Sequence, residues 1–292
     1  MKLQPTAALV LLAVGCSSAP PPPPRTGEPV SGTLDDVPAS ALQGLDPRPW
    51  SCPPGTWTKG QRFAYEVRAQ EGGRVVDADA APGVAPPTLV RRCRFDYEVT
   101  EAGDAVTRLR VTLSHLEQAG PEAEPLEGLA ALVGHSFLLL LDARGAPEPV
   151  SLHGPVIERC FGKEAALTGA GLGAAAAGLL MAAREPFHAV PRGRALAPGD
   201  RWGDHERGLV YRYLGREPDD TVRVRVELLE DERAPRGEWL AGPGALLRLS
   251  AAGATLEQPD ARWVYREEGP SPGARIERAG SAGVSLLSAP AR

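Results

Sequence analysis

Apolar and polar residues alternate with a period of two over most of the chain beyond residue 49. The first such segment places Phe63, Tyr65 and Val67 on one face, with charged residues between them. Side chains of a β-strand point alternately to its two faces, so this pattern is typical of a strand with one buried face. The inward-facing sets of later segments are Leu89, Arg91, Cys93, Phe95, Tyr97, Val99; Leu109, Val111, Leu113; Leu209, Tyr211, Tyr213; and Val222, Val224, Val226, Leu228. The sequence therefore predicts a mainly β fold of antiparallel meander sheets.

A different pattern interrupts the strands near the middle of the chain. Residues 156–184 contain no proline and many alanines, and Pro155 suits the first turn of a helix. Residues 165–183 carry no charge, but their alanines and glycines gain too little on transfer into a bilayer for a membrane span. We expect one central helix of small residues, at about 155–184, that packs closely on a sheet.

The chain divides into five regions on these patterns. A leader at 1–15 is followed by residues 16–48, which are rich in proline, serine and glycine and predict a disordered tether. A first β lobe at 49–153, the helix within 154–185 and a second β lobe at 186–292 complete the chain. Pro-Gly and Trp precede alternating strands in both lobes, at Trp57 and at Trp202, which suggests that the lobes are related.

The leader has the features of a signal peptide. Lys2 is followed by the short apolar run Ala7 to Val14, which is too short to span a bilayer as a helix. Residues Leu12 to Cys16, read as Leu-Ala-Val-Gly-Cys, resemble the lipobox of bacterial lipoproteins. That resemblance implies cleavage after Gly15 and acylation of Cys16 with palmitate. Because Ser17 is not an aspartate, it also implies the outer membrane.

A second, low-specificity resemblance lies at Pro191 to Trp202. This stretch resembles the entry to the second sheet in several uncharacterised families of secreted bacterial β proteins. The resemblance implies a non-enzymatic β scaffold and carries no catalytic residue with it.

Three cysteines are left for pairing once Cys16 is lipidated. An exported chain favours one disulfide and one free thiol. Cys93 faces the same side as Phe95, and a helix over 156–184 would bring Cys160 to the sheet, which favours a Cys93 to Cys160 bridge. A bridge from Cys52 to either of them is the alternative.

The sequence motifs for catalytic and metal sites are weak throughout the chain. Gly269 to Gly273 matches G-x-S-x-G around Ser271, but Pro272 lacks the N–H that an oxyanion hole needs. The five histidines have no metal-ligand spacing, and Asp204, His205 and Glu206 are adjacent residues whose side chains diverge. We expect no catalytic residue, metal or cofactor. A formal net charge of −5 also argues against a nucleic-acid partner.

Two functions fit these patterns. The first is a membrane-anchored envelope protein that acts as a scaffold or binds another envelope protein. The second is a carrier or sensor for an apolar small molecule held between sheet and helix. Because alanine and glycine fill space poorly, the second predicts an apolar groove. Its candidate lining is Phe63, Tyr65, Phe95, Tyr97, Leu109 and Val111.

Overall fold

Long antiparallel strands dominate the protein in a computed structural model. It describes residues 29–53, 57–77, 89–121, 130, 132–148, 178–204, 209–228, 237–241, 245–268 and 274–288. The elements are α1 (Ala39–Leu42), β1 (Trp50–Ser51), β2 (Arg62–Asp77), β3 (Leu89–Ala102), β4 (Val106–Ala119), β5 (Ser136–Asp142), β6 (Ala195–Leu196), β7 (Arg201–Asp204), β8 (Leu209–Arg216), β9 (Val222–Leu228), β10 (Gly237–Ala241), β11 (Ala245–Leu249), β12 (Thr255–Glu268) and β13 (Ala274–Ser288). The prediction of a mainly antiparallel β fold is confirmed.

One sheet unites the strands of both predicted lobes. Eleven strands of the described residues form it, in the order β5-β4-β3-β2-β13-β12-β11-β9-β8-β7, with β10 beside β12. The long pairing of β13 with β2, from Ala274 opposite Asp77 to Ser288 opposite Ala64, joins the end of the chain to its first long strand. The long strand β12 is continuous, with a register shift in its pairing with β13 between Gln258 and Ala261.

The alternating residues build two buried clusters on the core-facing side of this sheet. The first joins β2 to β5 and is composed of Phe63, Tyr65, Val67, Cys93, Phe95, Tyr97, Val99, Leu109, Val111, Leu113, Leu132, Phe137, Leu139, Leu141, Leu179, Leu180, Ala182, Ala183, Phe187 and Val284. The second joins β7 to β11 and is composed of Trp50, Cys52, Val190, Leu196, Trp202, Tyr211, Tyr213, Val222, Val224, Val226, Leu247 and Leu249. Each predicted lobe thus supplies most of one cluster.

Residues 178–191 form a segment, here called the strap, that contributes to both clusters. Every strap residue except Met181 is buried. Only 178–182 are helical, so the helix ends before residue 184, and Pro186 explains why it does not continue, because proline lacks an N–H and disfavours helix in the residue before it. The rest of the predicted helix, with Cys160, lies outside the described residues.

Residues 29–49, here called the clasp, lie on the sheet and not in a disordered tether. Val30 and Arg201 exchange two backbone hydrogen bonds, and so do Asp46 and Arg216. Between these points, Asp36 accepts a hydrogen bond from the guanidinium of Arg212, which is 1% exposed. The expected tether at 16–48 therefore does not hold for 29–48. Composition predicted disorder, but these contacts with distant strands provide the missing stabilisation.

The clasp covers the side of β8 that faces away from the second cluster. Tyr211 and Tyr213 belong to that cluster, whereas Arg212 and Leu214 point to the opposite side, and all four are buried. A buried guanidinium is costly without a counter-charge. Asp36 and Glu227 provide that charge for Arg212.

Replacing Asp36 with Asn should weaken the clasp. The hydrogen bond from Arg212 holds the pKa of Asp36 below its ordinary value of 3.8. The ion pair thus adds stability above pH 3.8, and this contribution is lost as the pH falls through the lowered pKa of the folded state. We expect Asp36→Asn to unfold at lower urea concentration than the wild type at pH 7.

The control is Asp35→Asn, because Asp35 has no ion-pair partner among the described residues. It should unfold like the wild type. Urea titrations of all three proteins should converge in strong acid, and a difference between wild type and Asp36→Asn that is independent of pH would contradict the role of the ion pair.

Candidate functional site

The six candidate groove residues lie together in the first cluster. Strand register places Phe63 beside Tyr97 and Tyr97 beside Val111, while Tyr65 lies beside Phe95. Their side chains are all 0–3% exposed. The structure therefore brings the candidate residues onto one apolar surface, but that surface is covered.

Phe187 of the strap fills the space in front of these aromatic rings. Its ring centroid lies 5.3 Å from that of Tyr97 and 6.3 Å from those of Phe63 and Tyr65, in edge-to-face arrangements. Such geometry is favourable for aromatic pairs and adds to the burial of their area. Leu179, Leu180, Ala182 and Ala183 complete the cover. An apolar ligand at this position would have to displace the strap.

Two tyrosine hydroxyls in this cluster bind backbone carbonyls. Tyr97 Oη donates to Ala183 at 2.9 Å, and Tyr65 Oη donates to Thr255 at 2.6 Å. Burial raises the pKa of Tyr65 and, even more clearly, that of Tyr97. Both side chains stay protonated near neutral pH, so they act as fixed hydrogen-bond donors that hold the strap and β12 in place.

The far end of the strap is held by the second cluster. Trp202 Nε1 donates to the carbonyl of Ala189 at 2.7 Å, and Nδ1 of His188 lies 3.0 Å from Tyr211 Oη. Trp202 and Tyr211 stack on one another with centroids 5.5 Å apart. Aromatic polar groups on different strands thus bind successive strap residues.

Cys52 and Cys93 are free, buried thiols in different clusters. Burial raises the pKa of the Cys93 thiol to about 12, against a smaller lowering by Arg91. A protonated thiol is a poor nucleophile. Because both thiols are free, the alternative bridge between Cys52 and Cys93 is not formed. Because Cys160 lies outside the described residues, the Cys93 to Cys160 bridge and the alternative from Cys52 to Cys160 stay predictions.

The described residues offer no group of three His, Cys, Asp or Glu side chains that could hold a metal ion. Asp204 is buried on β7, while His205, Glu206 and Ser271 lie outside the described part, as does Cys16. None of the helices described here is long and apolar enough to cross a membrane.

Comparisons with known proteins add little to this picture. No family model matches the chain, and no curated protein matches it. A solved structure of lipovitellin, determined to study its lipid-protein interactions, is similar in outline, with a TM-score of 0.45 and 8% identity. The similarity covers 80% of this chain and 26% of that one, so the chain spans about a quarter of the lipovitellin chain.

The second half of the strap, after the predicted helix, is the feature that the sequence patterns missed. Phe187 and Val190 stand outside any alternating segment, and the nearby Arg184, Glu185 and His188 suggest an exposed turn. In the structure these three polar side chains are 6–7% exposed, and Arg184 donates to the carbonyl of Pro147 at 3.1 Å. A local pattern cannot reveal partners that are so distant along the chain.

Phe187→Ala should destabilise the fold strongly. Removing a buried phenylalanine leaves a cavity and typically costs about 3–5 kcal/mol of unfolding free energy. The matched control is Leu138→Ala on β5, because Leu138 is 57% exposed and its loss should change the free energy by less than about 0.5 kcal/mol. Chemical denaturation measures both variants. A cost for Phe187→Ala similar to that of the control would show that the strap is not part of the core.

Proposed function

We propose that this chain is a lipid-anchored protein of the bacterial cell envelope, with a non-enzymatic β scaffold that binds another envelope component. The observation that carries the scaffold role is the strap, whose side chains occupy the space in front of the six candidate groove residues. The interior of the described sheet is therefore a packed core, and recognition falls to its surface.

The anchor part of the proposal rests on the leader and the lipobox-like residues that end at Cys16. The clasp adds a geometric limit. Its first residue, at position 29, follows Cys16 so closely that residues 17–28 can span at most roughly 40 Å. On this proposal the scaffold stays within that distance of the outer membrane.

Cys16→Ala should release the protein from the membrane. Without the acyl chains, no stable attachment is left. We expect the wild type to sediment with the membrane fraction and Cys16→Ala to move to the soluble fraction, with Ser17→Ala as the matched control that still sediments. The test is membrane fractionation, followed by mass spectrometry of the first tryptic peptide. A Cys16→Ala protein that is still cut after Gly15 and still sediments would disprove anchoring at this residue.

The alternative function, a carrier for an apolar small molecule, depends on displacement of the strap. Nile red, an uncharged dye that fluoresces in apolar surroundings, tests it without any contribution from charge. We expect no saturable binding by detergent-free Cys16→Ala protein, because Phe187 and its neighbours occupy the space. Stoichiometric binding of the dye would instead favour the carrier and overturn the scaffold.

A further inference from the structure

A cavity of about 370 Å³ lies on the side of the sheet that points away from the first cluster. Val67 and Cys93 belong to that cluster, so the residues that alternate with them on β2 and β3 point outward. Two rows of outward side chains cross β2, β3 and β4 here, and the volume falls in the lower part of the range of small-molecule sites. The first row is Arg68, Arg92 and Glu117, and the second is Gln70, Val90 and Ala119.

Charges of both signs face this cavity and balance one another. Arg92 Nε lies 2.7 Å from one oxygen of Glu66, and Arg68 Nε lies 3.5 Å from the other. Glu117, on the neighbouring strand β4, supplies a second negative charge beside Arg92. These two arginines and two glutamates have no net formal charge, so the cavity favours neither a simple anion nor a simple cation. A ligand that carries one charge of each sign would find a partner for both.

The groups of Arg92 and Glu117 that face each other are not hydrogen-bonded. Arg92 Nη1 lies 3.7 Å from Glu117 Oε2, which is too far for a hydrogen bond. The other oxygen of Glu117, Oε1, lies 3.0 Å from Nε2 of His115. Within the described residues, the guanidinium of Arg92 donates a hydrogen bond only through Nε, to Glu66. The terminal nitrogens of Arg92 and Oε2 of Glu117 are therefore available to a ligand, on side chains that are 51% and 57% exposed.

The spacing of these charges fits the two ends of a short peptide. Neighbouring strands lie about 4.8 Å apart, so the backbones at Arg68 and Glu117, two strands from each other, are separated by roughly 10 Å. An extended dipeptide is roughly 7 Å long and can lie across these strands with one end near each charge. Val90 and Ala119 in the second row offer apolar surface to its side chains, and Gln70 offers a donor and an acceptor to its peptide group.

We propose that this cavity binds a short peptide with free amino and carboxyl ends, with Arg92 as the contact for the carboxylate and Glu117 as the contact for the ammonium group. The planar fork of arginine matches the two oxygens of a carboxylate, and such charge-assisted hydrogen bonds are among the stronger ones in proteins. The site lies beyond the anchor and the scaffold role, and it does not depend on them.

Isothermal titration calorimetry of the full-length protein in a neutral detergent at pH 7 tests the site. The probe is alanyl-alanine, and its two blocked forms are acetyl-alanyl-alanine, which lacks the ammonium group, and alanyl-alanine amide, which lacks the carboxylate. We expect saturable binding of alanyl-alanine and an affinity lower by roughly three- to tenfold for each blocked form, as for one lost, half-exposed charged hydrogen bond. Absence of binding, or a blocked form that binds as tightly as alanyl-alanine, would overturn the proposal.

Two variants assign the ends of the peptide to their partners. Arg92→Gln should bind alanyl-alanine no better than its amide, and Glu117→Gln should bind it no better than the acetylated form, because each variant lacks the contact that distinguishes that pair. The matched control is Arg110→Gln, since Arg110 lies on β4 outside the cavity and pairs with Glu98 at 3.3 Å. Its affinities should equal those of the wild type, and equal losses in all three variants would contradict the site.

Thermal unfolding without peptide separates binding from folding. Arg92 and Glu117 are about half exposed, and ion pairs of this kind contribute little to stability, so both variants should melt near the wild type. If one variant is destabilised, the other still tests the site through its own blocked peptide. A clear drop in the melting temperature of both variants would assign the pair to the fold and overturn the proposal.

Discussion

Four aromatic rings lie on two neighbouring strands of the sheet, Phe63 and Tyr65 on β2 and Phe95 and Tyr97 on β3, and their burial needs a cover. The strap provides it by placing Phe187 against three of these rings. The hydrophobic gain from this contact has to exceed the entropy lost in ordering a segment that is mostly neither helix nor strand. Hydrogen bonds from Tyr97 to Ala183 and from Trp202 to Ala189 satisfy backbone carbonyls that strand pairing would otherwise bind.

The strap also connects the two buried clusters of the sheet. Its early residues, such as Leu179 and Phe187, belong to the first cluster, and Val190 belongs to the second. The pairing of β2 with β13 links the same two regions through backbone hydrogen bonds. On the opposite side of β8, the clasp supplies a carboxylate to the buried Arg212. Residues from near the start, middle and end of the chain are therefore needed together, so their contacts are expected to form cooperatively.

The strands and their buried faces could be predicted because the evidence for them is local. Alternation fixes which residues of a strand share a face, and Phe63, Tyr65, Phe95 and Tyr97 all lie on the side that it indicated. The sequence predicted a helix that packs on the sheet, and residues 178–182 are helical and contribute to the first cluster. The contribution of Phe187 could not be predicted, because nothing near it in the sequence identifies partners on β2 and β3. The prediction of a disordered tether was wrong for the clasp for the same reason. Its composition is that of a disordered segment, and the partners that give Asp36 a role, Arg201 and Arg212, lie far along the chain.

A packed interior limits where this protein can recognise anything else. The strap side chains stand where an apolar ligand would lie, so the described interior has no space for such a ligand unless the strap moves. Arg91 marks the margin of this core, because it follows the apolar side of β3 to the point where the strap begins at Gly178. A leucine at this position would extend the core and lower the cost of burial. The arginine instead ends the apolar side of β3, so the core stops where the strap begins.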